Sequence, residues 1–537
     1  MKALLCLLAC LLVCTVYADD DAYYAGLDTL EGDELKAALH ERIKGHTAYP
    51  YFSDSTGVGE MMMDIDADPA DPTRMILFYT GRSQPIAWAD HGDDFDYAAY
   101  GVGHGDTWNR EHLWAKSHGF PDMEMLAYTD IHHLRPADRS VNGSKGAKDF
   151  DWGGAPDAEA VGSFTDFDSW EPRDEVKGDL ARSLFYMAVR YEGTDTPYDL
   201  ELVESTGTGG PRLGRLSTLL EWHAADPPDD RERARNERIY TRYQHNRNPF
   251  IDHPEYAVRI WGEPDTTPRL SAALPWIDFG DVVAGEASEP VEIWLTGRNQ
   301  WGACTADFSP EGFFAQTSEP DDWLASVTIA PAEGAFNQPL ALRFQPVGIG
   351  EVGGELSLRG AGGSSCRVAL YGRGVEAGTR TLLASTFDDG WEGWTVHSLA
   401  SDRDWRLSSY DSRRFAKISG YRGDEASDDW LVSPQIDLSG YRAAALRFET
   451  AKNHSDDIEG LEAMVCTDYS GNPATTVWER LQPRLSPGRY EWVASGWLDL
   501  EAWEGRQIRV AFRYRCTGPQ SATTWEIDDI RLTAVPR

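Results

Sequence analysis

The segment Asn109–Phe120, NREHLWAKSHGF, places a carboxylic acid and an imidazole side by side at Glu111 and His112. A neutral imidazole near pH 7 is a suitable base for taking a proton from water, and a carboxylate is a suitable ligand for a hard cation such as Mg²⁺. The pair is therefore suited to metal-assisted hydrolysis. A bare Glu-His dipeptide is more commonly a solvated surface pair, so the rest of the chain has to decide between the two readings.

A second polar segment, TDIHHLRPADRSVNGSKG, covers residues 129–146. Cationic groups beside a hydrolytic base suit an anionic substrate, because negative charge builds up in the transition state. We expect His132 and His133 to be hydrogen-bonding framework rather than further bases. The cations expected to bind substrate in the two segments are Arg110, Arg135 and Lys145.

Several elements are expected to position these segments. The short apolar run Met75–Gly81 predicts a core strand. The segment Arg173–Tyr191 predicts an amphipathic helix, because its apolar residues recur at helical spacing. Another helix is expected from about Arg231 to Tyr243. Trp108 and Trp114, which flank the Glu-His pair, are expected to pack in the core rather than to stack on bases.

The length and composition predict several domains and limit the possible partners. A chain of 537 residues with 41% hydrophobic and 11% aromatic side chains can fill two to four cores. The net charge of -38 disfavours a protein that binds nucleic acid over its whole surface, because like charges repel. A local basic cleft remains compatible with that charge.

The N-terminus predicts export. Residues 1–18 combine a Lys after the initiator Met, an apolar stretch and a small Ala18, which is the pattern of a secretory signal peptide. A lipoprotein box ending at Cys10 is the alternative, but the apolar stretch before it is short. Nothing later has the ~20 continuous apolar residues of a membrane span. We expect an exported protein, either extracellular or periplasmic.

The cysteines are consistent with an oxidising compartment. Three of the seven lie in the predicted signal peptide, and the remaining four are distributed two to each downstream β-rich region. The simplest expected disulfides are Cys304–Cys366 and Cys466–Cys516. Connectivity does not follow from sequence alone.

Three regions follow the signal peptide. Residues 23–262 mix helix and strand patterns, and the segment GEPDTTPR at 262–269 is a Pro-rich linker. Residues 270–375 show short alternating strands such as PVEIWLTG and CRVALYG, the pattern of an immunoglobulin-like sandwich. Residues 382–537 are also predicted to be all-β.

A row of arginines could bind phosphates. Arg231, Arg235, Arg238 and Arg242 recur at helical spacing, and Arg247 follows just beyond. One interpretation is a basic ridge, with Arg235, Arg238 and Arg247 as substrate-binding residues and with little sequence specificity. The alternative is an ion-paired helix, because acidic residues are interleaved at Asp229, Asp230, Glu232 and Glu237.

Four segments, taken in order, resemble the motifs of the secreted bacterial endonuclease I family, which are nonspecific nucleases of the His-Me finger (ββα-metal) type. They are WNREHLWAKSHGF, TDIHHLRPADRSVNGSKG, VKGDLARSLFYMAVRY and QHNRNPFIDHPE. The resemblance implies an α+β nuclease domain that cuts DNA, RNA or both to leave 5′-phosphate ends. It further implies that His112 is the general base and that Glu111 is a ligand of Mg²⁺.

One position departs from the family. The stretch after VN normally ends in an Asn that is the other protein ligand of the metal, and here that place is taken by Ala147. A methyl group cannot coordinate a cation. Water, Asp149 or Asp151 would have to complete the site, or metal binding is weaker.

The two β regions carry resemblances of their own. The segments FGDVVAGEASEPVEIWLTG and LYGRGV resemble immunoglobulin-like modules of exported bacterial proteins. The last region resembles the jelly-roll modules at the ends of secreted peptidases, adhesins and nucleases, which implies a glycan or surface ligand and a Ca²⁺ site. Its oxygen ligands would come from acidic residues that could equally be turns at the sandwich rim: Asp388, Asp389, Asp528 and Asp529.

Together these observations predict a secreted, Mg²⁺-dependent, nonspecific endonuclease with an Ig-like and a jelly-roll accessory domain. The first alternative is a nuclease-like protein that binds extracellular nucleic acid without cutting it. The second is a surface adhesin that acts through its C-terminal β domains.

Overall fold

The computed structural model describes residues 20–53, 56–90, 99, 107–316, 322–400, 403–410, 413–420, 426–453, 460–488, 490–518 and 523–537. The predicted signal peptide, residues 1–18, lies outside these ranges. No helix in the described part of the chain is long and apolar enough to cross a membrane. The chain divides into two compact units, the first made of residues 1–277, 290–342 and 354–370, the second of residues 278–289, 343–353 and 371–537.

The first unit begins with a predominantly helical region. Its α-helices are Asp20–Tyr23, Gly32–Ile43, Val58–Ile65, Arg139–Lys145, Lys177–Arg190, Leu216–Ala225, Asp230–Arg238, Pro249–Asp252 and Tyr256–Trp261. Short 3-10 turns cover Ile86–Trp88, Leu126–Thr129 and Asp174–Val176, and a π-helical turn covers Ile239–Tyr243.

The helix Lys177–Arg190 confirms the prediction for the segment after Arg173 and runs through the core. Its apolar stripe, including Leu180, Leu184 and Met187, is buried together with almost all of its other side chains. The helix is therefore enclosed on all sides rather than lying at the surface with one wet face.

Short strands complete this region and confirm the mixed α+β class. Three small sheets surround the helical core, with the strands Ala67–Asp68, Asp71–Ile76 and Ser83–Pro85 in the first, Asp149–Phe150, Ala155–Pro156, Phe164–Thr165 and Ser169–Glu171 in the second, and the parallel pair Glu201–Val203 and Arg212–Gly214 in the third. A separate antiparallel hairpin joins Trp108–His112 to Leu134–Asp138.

The strand predicted at Met75–Gly81 ends early. The observed strand Asp71–Ile76 stops where Gly81, at φ +68°, donates its N–H to the carbonyl of Leu77 and closes a tight turn. Glycine tolerates this left-handed conformation because it has no Cβ. The turn keeps Phe78 and Tyr79 buried, so the apolar run fills the core without continuing the ladder.

The β-rich segment after residue 268 contributes to both units. Its strands are Arg269–Ala272, Trp276–Val283, Val291–Arg298, Cys304–Ser309, Phe313–Gln316, Trp323–Leu324, Ser326–Ile329, Phe336–Phe344, Gly350–Arg359 and Ser365–Val375. The domain boundaries given from sequence stay a prediction.

The first strands of this segment pack against the helical region inside the first unit. The Thr296 hydroxyl accepts the Gly154 N–H at 3.3 Å, and the Asn337 amide donates to the Gly154 carbonyl at 3.1 Å. The Trp152 ring has the cations of Lys177 and Arg298 within 4.2 and 4.1 Å of its centroid. These contacts show that the Pro-rich stretch at 262–269 joins packed elements and is not a free tether.

The second unit is a β-sandwich, as predicted. One sheet has seven strands in the order Arg406–Tyr410, Arg413–Ser419, Thr524–Pro536, Tyr441–Asn453 and Val493–Ala494, with Arg380–Ser385 and Leu498–Asp499 alongside. The other has six strands in the order Thr395–Ser398, Ser427–Val432, Gln507–Cys516, Leu461–Cys466 and Glu479–Arg480, with Ile436–Asp437 alongside. The core between them includes Trp394, Phe448, Phe512 and Trp525.

The acidic residues suggested as Ca²⁺ ligands in this unit are largely ion-paired. Arg413 binds the carboxylates of Asp528 at 2.6 Å and Asp529 at 3.4 Å. Asp388 accepts a hydrogen bond from Thr386 at 3.0 Å. A guanidinium therefore stands against two of the suggested ligands, and the Ca²⁺ site stays a prediction.

The expected disulfide between Cys304 and Cys366 is not formed, and both are free thiols. Cys304 lies on Cys304–Ser309 and Cys366 on Ser365–Val375, and the strand Gly350–Arg359 runs between them in the sheet. Alternate strands of a sheet are about 10 Å apart, which is beyond the roughly 7 Å that a disulfide spans between Cα atoms.

The expected disulfide between Cys466 and Cys516 is also absent, and the reason lies in the strand register. The two cysteines lie on neighbouring strands, but Cys466 is opposite Arg509. Cys516 lies seven residues further along that strand, roughly 24 Å away at about 3.4 Å per residue. Equal numbers of cysteines in each region suggested a pairing that the register forbids.

We expect a reducing agent to leave the melting temperature of the full chain unchanged, because the four cysteines in the described part of the chain are free thiols. The measurement is calorimetry with and without dithiothreitol, together with a thiol titration of the denatured protein. Cys304, Cys366, Cys466 and Cys516 should all react before any reduction. A thiol count that rises only after reduction would contradict the free-thiol arrangement.

Candidate active site

Glu111 lies on the hairpin strand Trp108–His112 with its carboxylate turned into the protein. The Tyr79 hydroxyl donates a hydrogen bond to Oε1 at 2.8 Å, and the Lys145 ammonium lies 3.2 Å from the same oxygen. Burial raises the pKa of the Glu111 carboxyl, and Lys145 and Tyr79 oppose that shift. Both groups engage Oε1, so Oε2 is the oxygen that neither of them occupies.

Lys145 reaches Glu111 because it lies at the end of a short helix that packs against the hairpin. The helix Arg139–Lys145 starts directly after the second strand, Leu134–Asp138, and ends at Gly146, whose φ is +55°. The Lys145 side chain is completely buried, with the Leu113 carbonyl 3.5 Å from its Nζ. The Lys145 ammonium therefore lies in the protein interior and does not extend toward solvent.

His112 ends the same strand, and its side chain meets different neighbours from those of Glu111. Its Nε2 lies 2.9 Å from the carbonyl oxygen of Tyr128. The imidazole packs 4.6 Å from the Tyr128 ring and 5.8 Å from the Tyr51 ring. Burial, followed by the nearby His133, holds the pKa of His112 well below its usual range.

The turn Leu126–Thr129 holds the carbonyl that orients His112. Within it, the Ala127 N–H donates to the Tyr198 hydroxyl at 3.0 Å, and the Ala127 carbonyl lies 2.8 Å from Nε2 of His133. These two hydrogen bonds, one to the N–H and one to the carbonyl of Ala127, hold the turn in place. His133 is thus part of the hydrogen-bonding framework, as expected from sequence.

Arg110 precedes Glu111 and stacks among aromatic rings. Its guanidinium carbon lies 3.8 Å from the Tyr51 centroid and 4.4 Å from the Phe52 centroid, and Nη1 donates to the Tyr51 carbonyl at 2.5 Å. The Arg110 side chain is largely buried, and burial lowers its pKa. Arg110 thereby ties the chain around Tyr51 to the strand that holds Glu111 and His112.

Asp149 and Asp151, the two carboxylates suggested to complete the metal site beside Ala147, are bound by other groups. Asp149 accepts hydrogen bonds from Thr208 at 2.7 Å and from the Gly214 N–H at 2.8 Å. Asp151 is bound by Arg215 at 2.8 Å and by Thr218. Both carboxylates are therefore engaged by protein donors, and completion of the site by either one stays a prediction.

Comparison with known proteins identifies the family. Residues 31–255 match the family described as Endonuclease I. The chain is 52% identical over 248 residues to an "Extracellular ribonuclease" of Bacillus subtilis (strain 168), a match covering 46% of this chain and 80% of the relative. The chain belongs to the endonuclease I family.

A second relative in the family gives the same picture. An "Extracellular ribonuclease" of Bacillus amyloliquefaciens is 51% identical over 250 residues, covering 46% of this chain and 81% of that protein. Among solved structures, the K3 cleaved adhesin domain of Lys-gingipain from Porphyromonas gingivalis is 16% identical, covers 28% of this chain and 98% of that domain, and has a TM-score of 0.22. A TM-score this low supports no argument.

A separate acidic group in the endonuclease I region could also be considered for a metal. Carboxylate oxygens of Glu192, Asp199 and Glu201 lie within 4.8 Å of one another. Lys36 forms ion pairs with Glu192 and with Glu201, the latter at 3.2 Å. An ammonium therefore already offsets the charge of this group.

Two of the arginines expected to bind substrate are buried around Asp66. Arg235 donates to the Asp66 carboxylate at 2.9 and 3.2 Å and to the carbonyls of Ile131 and Leu134. Arg135 lies 3.7 Å from the same carboxylate, and burial together with Arg235 lowers its pKa to about 10. The structure thus assigns both cations to the interior, where they join the Glu-His hairpin to the helix Asp230–Arg238.

Three other arginines of the expected row, Arg238, Arg242 and Arg247, are hydrogen-bonded, ion-paired or outside a regular α-helix. Arg247 is buried between Glu237 and Asp252, both at 2.7 Å. Arg238 donates to the Asp64 carbonyl at 3.3 Å. Past Arg238 the chain forms the π-helical turn Ile239–Tyr243, so Arg242 does not continue a regular α-helical row. The ion-paired alternative describes Arg235 and Arg247.

Sequence reasoning missed two contributors to the site of this endonuclease I family member. The sequence predicts Tyr79 within a strand, whereas its role as hydrogen-bond donor to Glu111 depends on a turn that only Gly81 signals in the sequence. The Tyr128 carbonyl, which orients His112, is a backbone group and has no signature in the side-chain sequence.

We expect Asp66→Asn to lower the free energy of unfolding of the first unit by roughly 3–5 kcal/mol, because it leaves buried guanidinium groups without their counter-charge. Asp64→Asn is the matched control. Asp64 pairs with Arg242, whose side chain is 59% exposed. Loss of an exposed pair should cost about 1 kcal/mol or less. Calorimetry of both full-length variants measures the difference, and equal shifts would contradict it.

Proposed function

We propose that the chain is a secreted, metal-dependent endonuclease that hydrolyses phosphodiester bonds of DNA, RNA or both. The observation that carries the proposal is the state of His112, a buried imidazole with a lowered pKa whose Nε2 faces a carbonyl oxygen. Membership of the endonuclease I family supports a hydrolase of nucleic acid. The extracellular relatives support export from the cell.

The proton of the neutral imidazole can be placed from the hydrogen bond. A carbonyl oxygen only accepts, so Nε2 of His112 must donate to Tyr128 and carries the proton. The lone pair then lies on Nδ1. Because the lowered pKa keeps the ring neutral near pH 7, Nδ1 is ready to take a proton from an attacking water molecule.

Glu111 is the residue that would hold a divalent cation. Mg²⁺ keeps several waters and needs only one or two protein carboxylates besides the substrate phosphate, so Oε2, which neither Tyr79 nor Lys145 engages, fits such an ion. When bound, the ion supplies positive charge against the phosphate and its leaving oxygen. Ala147 offers no oxygen from its side chain, so the set fits a weakly held cation.

The buried cations take a supporting role in this proposal. Lys145 opposes the pKa rise of Glu111 and so favours the ionised carboxylate that a cation needs. Arg110 positions the strand beside Tyr51. We propose that recognition of the substrate is not specific for base sequence, since the described side chains that pack on His112 include the flat rings of Tyr51 and Tyr128, and a ring can stack on any base.

We expect His112→Ala to lower the cleavage rate by about 10²- to 10⁴-fold, since a general base contributes that much. Binding of nucleic acid should be nearly unchanged. The matched control is His253→Ala, because His253 pairs with Glu255 and packs on Tyr24 and Tyr256. Plasmid digestion in Mg²⁺ and in EDTA measures the rates. Full turnover in His112→Ala would remove this residue from the role.

We expect Ala147→Asn to lower the Mg²⁺ concentration needed for half-maximal cleavage. Asparagine adds a neutral carbonyl oxygen, a suitable ligand for a hard cation, without adding charge near the phosphate. A Mg²⁺ titration of plasmid cleavage compares the variant with the wild type. Ala147→Ser serves as a control, because its side chain is close in size to the native alanine and its hydroxyl oxygen is a poorer ligand. An unchanged requirement would mean that water already completes the site. No cleavage by either protein would favour the binding-only alternative.

A further inference from the structure

Phe52 is an exposed aromatic side chain close to the candidate active site. Its side chain is 58% exposed, whereas Trp108 and Trp114 of the Glu-His segment are completely buried. An isolated exposed apolar residue is common on protein surfaces and needs no explanation by itself. The contacts of Phe52 are what distinguish it.

Phe52 belongs to a chain of ring contacts that leads to His112. Its ring meets the Tyr51 ring edge-on at 5.0 Å, and the Tyr51 ring in turn stacks on the His112 imidazole at 5.8 Å with an angle of 23° between the planes. Two ring contacts therefore separate an exposed aromatic face from the proposed general base.

The Arg110 side chain also holds the Phe52 ring in place. The guanidinium carbon of Arg110 lies 4.4 Å from the Phe52 centroid and 3.8 Å from the Tyr51 centroid. Arg110 is anchored in turn by its hydrogen bond to the Tyr51 carbonyl. A cation beside an aromatic ring favours a defined ring position, so the exposed face is presented in a fixed orientation.

We propose that Phe52 is a stacking platform for an unpaired base of the nucleotide beside the phosphate that is cut at His112. This inference rests on the proposed function and narrows it to a substrate class, single-stranded nucleic acid. Aromatic rings beside cationic groups are the usual means by which proteins hold single strands, because every base has a flat π face.

The substrate class follows from the geometry of stacking. In a duplex, each base is already stacked between its neighbours and paired with its complement, so it cannot lie on Phe52 without first being taken out of the helix. An unpaired base is free to do so. Single-stranded DNA or RNA, and unpaired loops, therefore gain a contact that paired strands do not.

The chemistry of the platform also predicts what it does not distinguish. A phenyl ring has no donor or acceptor to read the edge of a base, so the contact is tolerant of sequence. For the same reason it offers no hydrogen bond to the 2′-hydroxyl group that separates RNA from DNA. Phe52 therefore selects strands by pairing state and not by base or sugar.

The test compares Phe52→Ala with the wild type on a labelled single-stranded oligonucleotide and on a hairpin duplex of the same sequence, using the full chain. We expect the Kd for the single strand, measured by fluorescence anisotropy in EDTA, to rise about tenfold, and the Kd for the duplex to change by less than about twofold. In Mg²⁺, the KM for the single strand should rise similarly while kcat stays near that of the wild type.

Two variants separate stacking from mere burial of apolar area. Phe52→Leu keeps an apolar side chain without a π face and should lose as much affinity as Phe52→Ala, whereas Phe52→Trp should retain or improve it. The matched control is Phe167→Ala, because Phe167 is similarly exposed, at 54%, and makes no ring contact with His112 in the described part of the chain.

The outcomes are distinct. Equal weakening on single strand and duplex, wild-type affinity in Phe52→Leu, or the same loss in Phe167→Ala would each overturn the platform. If the wild type cuts neither substrate but the anisotropy results hold, the proposed hydrolase activity fails while the platform stands. If the wild type cuts both and Phe52→Ala binds and cuts like it, the platform fails and the hydrolase stands.

Discussion

The ion pair between Glu111 and Lys145 is the interaction on which the site depends, because it lies almost entirely out of water. The side chains are 4% and 0% exposed, and their charged atoms are 3.2 Å apart. A buried pair is costly to form and far more costly to leave half-made, since a single unpaired charge in the interior is destabilising by about 3–5 kcal/mol. The buried Glu111 carboxylate is therefore stable only when three elements are in place. These are the hairpin, the helix that ends at Gly146 and the turn that presents Tyr79.

The alternation of a β-strand then gives the two neighbouring residues opposite environments. Glu111 faces a cation and a phenol, whereas His112 faces the rings of Tyr51 and Tyr128 and a carbonyl oxygen. Burial by itself drives both groups toward their neutral forms, raising one pKa and lowering the other. Lys145 counteracts this for the acid, whereas for the base the charges of His133, Lys116 and Lys145 lower the pKa in the same direction as burial. The result is a neutral base next to a carboxylate that is held close to an ammonium.

How much of this could be predicted depends on whether a feature is local. Adjacent Glu111 and His112 and the apolar period of the helix Lys177–Arg190 are written in short stretches of sequence, and both led to the observed arrangement. The partners of Arg235 and Arg247 come from segments as far away as Asp66, so a helical spacing of arginines could not reveal which face is buried. The predicted disulfide between Cys466 and Cys516 is wrong for a related reason. The pairing looks simple along the chain, but the register that places Cys466 opposite Arg509 excludes it.

The acidity of the chain becomes consistent with a nucleic-acid substrate once the buried cations are set aside. Lys145, Arg135, Arg235 and Arg247 are all engaged by carboxylates inside the protein, so they contribute little attraction at its surface. With a net charge of -38, the long-range field of the chain as a whole repels a polyanion. In the proposed function, the short-range sources of affinity are a cation held by Glu111, which would touch one phosphate, and flat rings, which would touch bases. Stacking is insensitive to salt, whereas phosphate contacts through arginine rows are weakened by it. An exported protein gains from that division, because the salt around it is not under the control of the cell.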